Sequence, residues 1–145
     1  MATVEMSFTP LPAHVRTARL VATAVARRSG VDEALLDEVR LAVGEACSRA
    51  VEAHQEHCPA EPVRVALTGA GDRFEVVVTN TAAVGDDGMA WPPEPATGPD
   101  GQEPAALPAQ LGLAVIAGLA DDVHVSRNGD GLSIRMSWPA GSPAG

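Results

Sequence analysis

Glu45 and Arg49 stand four residues apart in a segment whose apolar residues, Leu36, Val39, Val43, Ala46 and Ala50, recur at helical spacing. Carboxylate and guanidinium therefore share one face of a helix. The carboxylate has the chemistry of a general base, whereas an arginine offers donors and a permanent charge and cannot ligate a metal. An intrahelical ion pair is the plainer reading, because Glu preceding Arg by four residues contributes roughly 0.2–0.5 kcal/mol on an exposed face. Both readings stay open. His54, His57 and Cys58 gather at the end of the same segment. Zinc prefers four ligands at set spacings, and histidines near a helix C-terminus are favoured by its dipole, so no metal site is assigned to them. Cys47 lies beside the apolar stripe and reads as a small buried side chain. Trp91, followed by Pro92 and Pro93 in a polar stretch, is either an exposed interaction anchor or a cover folded back over a pocket.

The chain that must position these groups has 145 residues, 46% of them hydrophobic, which suits one globular domain with its own core. Its formal net charge of −9 argues against a nucleic-acid binder, since neutralising phosphates needs a basic face. All the basic residues are Arg, which removes any lysine-based mechanism. Met1 to Phe8 lacks the pattern of a secretory signal, and no apolar stretch approaches membrane-spanning length, so a cytoplasmic protein is expected. The two cysteines, Cys47 and Cys58, do not make a disulfide framework and are expected as thiols.

Alternation of Val4, Met6 and Phe8 predicts a strand over 3–9, ended by Pro10-Leu11-Pro12. Val15, Ala18, Val21 and Val25 predict a helix over 13–28, with Gly30 placed to stop it. Asp32 is positioned to cap the second helix, expected to reach about His54. Residues 62–68 and 74–80 alternate as strands across Gly69-Ala70-Gly71-Asp72. The stretch 81–109, rich in Pro, Gly and acidic residues, has no hydrophobic period and is expected to be a mobile lid. A helix over 109–120 and a hairpin of strands 123–127 and 132–138 follow, and 139–145 reads as a flexible tail. Packing the helices on one face of a mixed, mostly antiparallel sheet gives an α+β two-layer sandwich within a single domain, 1–138.

Three stretches carry a resemblance. Arg40 to Glu52, reading Arg-Leu-Ala-Val-Gly-Glu-Ala-Cys-Ser-Arg-Ala-Val-Glu, is similar to the helical N-box of the GHKL ATPase-like family, specifically the bacterial anti-sigma factor serine kinases. That box supplies a Glu and, one turn later, an Asn that ligates the magnesium bridging the ATP phosphates; here Glu45 is in place and Arg49 stands at the Asn position. Val76-Val-Val-Thr-Asn80 resembles the box whose Asp reads the adenine amino group, with Asn80 at the Asp position. Gln110-Leu-Gly-Leu is similar to the Gly-x-Gly-Leu box that lets backbone amides approach phosphate, with Gln110 in place of the first glycine and Gly112 retained.

The resemblance implies a GHKL fold over 4–138 and a nucleotide pocket altered in every box, with Glu45, Arg49, Asn80, Gln110 and Gly112 as its cofactor-binding candidates. The leading expectation is an anti-sigma-factor-like regulatory protein that binds a sigma factor or an anti-sigma antagonist, with ATP and magnesium binding impaired or lost. It implies protein partners, no direct contact with nucleic acid or membrane, and a homodimer through the sheet and its first strand. Arg16 and Arg19, on the polar side of the first helix, fall where the family places a partner surface, although solvated charge would also account for them. Two alternatives stand beside this. One is an active ATP-dependent serine kinase with Glu45 as its base, disfavoured because phosphoryl transfer rests on a metal and positioned donors. The other is a pocket for a different nucleotide or anion, with Arg49 contacting phosphate in place of magnesium.

Overall fold

The computed structural model describes residues 2–80, 116–128 and 131–141. Strand β1, Ala2–Phe8, leads through the Pro10 turn into helix α1, Pro12–Ser29, where a proline at the start costs no helical hydrogen bond. Gly30 ends α1 at φ +98°, with its amide donating to the Ala26 and Arg27 carbonyls, a cap that suits a residue without Cβ. Helix α2, Glu33–His57, begins as the sequence predicts: the Asp32 carboxylate accepts from the Ala34 amide at 3.2 Å. It runs to His57, about a turn beyond its expected end at His54.

Strands β2, Val63–Ala70, and β3, Arg73–Asn80, form a hairpin turning at Gly71 and Asp72. Its reversal is tighter than expected, because Gly69 and Ala70 stay paired with Phe74 and Arg73. Residues 116–119 are helical, and β4, Asp122–Asn128, and β5, Gly131–Pro139, complete a sheet of order β1-β2-β3-β5-β4. All four neighbouring pairings are antiparallel, and α1 and α2 pack on the sheet, so the α+β sandwich stands.

Alternation along β3 sets the core. Phe74, Val76 and Val78 are buried on one face, with Val65, Leu67, Met136 and Trp138 from the flanking strands. α1 contributes Val15, Ala18, Ala22 and Ala26, and α2 contributes Leu36, Val39, Val43, Ala46 and Ala50. Each large apolar side chain buried there stabilises the fold by about 1.5–3 kcal/mol. Trp138 also needs a partner for its indole N–H, and it donates to the Leu119 carbonyl at 3.1 Å, tying the helical residues 116–119 to β5.

The α1–α2 contact is close at Gly44. A Cβ there would lie 2.6 Å from Arg19 Cδ, so the arginine's aliphatic part packs over α2 at this glycine and would have to shift to admit a larger residue. Arg19 is thus half-buried between the helices, while Arg16 is exposed as expected. The start of the expected tail is held: the Ala140 amide donates to Asp72 O and the Gly141 amide to Gly30 O, both at 2.8 Å, and Ala140 is buried. Sequence composition missed this because the restraint comes from distant turns. The expected lid 81–109, with Trp91, lies outside the described residues, as do Gln110, Gly112 and residues 142–145. No helix among the described residues is long and apolar enough to cross a membrane.

Candidate functional site

α2 rests on the sheet along its apolar stripe, which turns a second stripe, beginning with Glu45 and Arg49, toward the ends of β3 and β5. On that flank a cleft of about 240 Å³ opens between helix and sheet. Its helical wall holds Ala46, Arg49, Ala50, Glu52, Ala53, Glu56 and His57, and its sheet wall Val78, Asn80, Leu132 and Ile134. The register explains the second wall: Val78 faces Ile134 and Asn80 faces Leu132 across β3 and β5. Asn80 ends the inward row that begins with the buried Phe74, Val76 and Val78, so β3 delivers a polar amide at the mouth of an apolar slot. The three alanines keep the helix side shallow.

The structure thus brings Arg49 and Asn80, far apart in sequence, to opposite walls of one cleft. Glu45 is half-buried and lies one turn along α2, where its charge reaches Arg49 without its side chain lining the cleft. Burial pushes the Arg49 guanidinium below the usual arginine range, while the carboxylates of Glu45 and Glu52 push it back up. It remains a cation at neutral pH. The sequence reading overlooked Glu52 and Glu56. Their signal was present, since both lie within two turns of Arg49 on its own helical face.

The histidine and cysteine group resolves into separate roles. His54 is fully buried, its Nδ1 2.8 Å from the Glu61 carbonyl, where it fastens the end of α2 to the segment leading into β2. His57 lines the cleft beside Glu56, and Cys58 is half-buried. Among the described residues no group of three or more His, Cys, Asp or Glu is placed to hold a metal ion. Cys47 is buried, as its place beside the stripe predicts, and burial pushes its thiol up to about 12 against the weaker opposing effect of Arg19. A thiol held protonated in this way is not a nucleophile.

Arg19 lines a second groove between α1 and α2 with Ser48, Glu52 and Gln55, and Gln55 donates to the Pro10 carbonyl at 3.0 Å. Glu52 therefore borders both depressions. The chemistry available is lopsided: one fixed cation, one amide and an apolar slot in the main cleft, with two carboxylates and an imidazole on the helical side.

Among solved structures the chain resembles the RsbU and RsbW domains of Rv1364c from Mycobacterium tuberculosis, with a TM-score of 0.65 at 16% identity, a likeness of fold. The match covers 99% of this chain and 34% of that one, so the chain spans about a third of that structure's length. A comparison with curated protein sequences finds no match. The family model for the histidine kinase-like ATPase domain matches residues 8–138, from the end of β1 to Trp138 in β5, and the chain belongs to that family.

Proposed function

We propose that the chain is an anti-sigma-factor-like regulatory module that acts by binding a protein partner, a sigma factor or an anti-sigma antagonist, and that magnesium-dependent ATP chemistry is impaired or lost in it. Membership of the ATPase family and the fold shared with a structure containing an RsbW domain support the regulatory part. One observation carries the rest: Arg49, at the position of the metal-binding Asn, lines the cleft with a guanidinium. That group supplies only donors and repels a divalent cation, and Asn80, Glu52 and Glu56 do not rebuild an octahedral oxygen set around it. The residues present do not fit magnesium, and no phosphoryl-transfer step is derived through it.

In this reading Glu45, Arg49, Asn80, Gln110 and Gly112 are the remnant of the cofactor-binding set, 1–138 is one domain, and the protein works in the cytoplasm, as a homodimer, without touching nucleic acid. Calorimetric titration with ATP and ADP, with and without magnesium, tests it. The native chain is expected to show no magnesium-dependent heat, and Arg49→Asn is expected to gain it. Tight magnesium-dependent ATP binding by the native chain would overturn the proposal and favour the kinase, in which case phosphate transfer lost on Glu45→Ala would follow.

A further inference from the structure

We draw no further inference here: the strongest candidate, the surface patch on the solvent side of α1 and α2 where Leu20 and Leu41 are exposed and Arg19 lines the groove between the helices, falls where the family already places a partner surface, and nothing in the structure shows what covers it.

Discussion

Gly30→Ala is the substitution whose cost the structure defines most closely. Gly30 stands at φ +98° and ψ +16°, where an L-residue costs about 1–2 kcal/mol. A Cβ there would collide with the Gly141 carbonyl oxygen and lie 3.2 Å from the Gly141 carbonyl carbon. Both are backbone atoms, so relief requires moving the chain and losing the 2.8 Å bond from the Gly141 amide to the Gly30 carbonyl, about 0.5–1.5 kcal/mol net. Alanine returns about 0.4–1 kcal/mol by restricting the unfolded chain. The expected loss is about 0.5–3 kcal/mol, read as a lower urea midpoint at unchanged slope. A chain ending at Pro139 separates the two contributions, because it lacks the colliding residue and retains the backbone strain. In that chain Gly30→Ala is expected to cost about 1 kcal/mol less than in the full chain, a coupling measured by the double-mutant cycle. Equal costs in the two backgrounds would refute the contact argument, and a cost below about 0.3 kcal/mol in both would refute the strain argument.

Other positions give further checks. Asp32→Ala removes the cap of α2 and should cost about 1 kcal/mol in urea unfolding, whereas Asp32→Asn should be nearly neutral. Trp138→Phe leaves the Leu119 carbonyl without its 3.1 Å partner and should lower stability by about 1–3 kcal/mol; a neutral result would mean that this bond contributes nothing net. The Cys47 thiol rises from 9.0 to about 12 on folding, so the folded state favours the proton that the unfolded chain releases first. Stability relative to Cys47→Ala should therefore be full below pH 9 and fall by about 1.4 kcal/mol per pH unit above it, until the folded thiol itself titrates near 12. A flat difference between the two proteins from pH 8 to 10.5 would contradict that burial effect.

Legibility in the sequence followed the range of the forces involved. Asp32, Gly30 and the α2 stripe act within a few residues of themselves, so spacing and capping chemistry located both helices closely. The sheet order β1-β2-β3-β5-β4 brings β3 beside β5 across a gap of fifty residues, and no local pattern in the sequence sets that pairing. The same division runs through the site. Arg49 was visible as a helical residue and Asn80 as a strand terminus, but their shared cleft depends on the β3–β5 register that sets Leu132 opposite Asn80. Arg19 shows how a local pattern misleads: the helical wheel gives it to solvent, and a glycine on the neighbouring helix takes it back.

Why the fold accommodates a guanidinium on the flank of the cleft follows from the geometry of α2. Its residues divide between two stripes, Leu36, Val39, Val43, Ala46 and Ala50 toward the sheet and Arg49, Glu52 and Glu56 along the cleft flank. The first stripe buries apolar area and holds the sandwich together. The second has access to water, so a polar exchange there leaves the apolar contacts in place and costs at most the desolvation of a half-buried side chain. Glu45 and Glu52 offset part of that cost for Arg49. A guanidinium on this flank of the helix therefore carries little penalty to folding, and it gives the cleft a fixed positive charge.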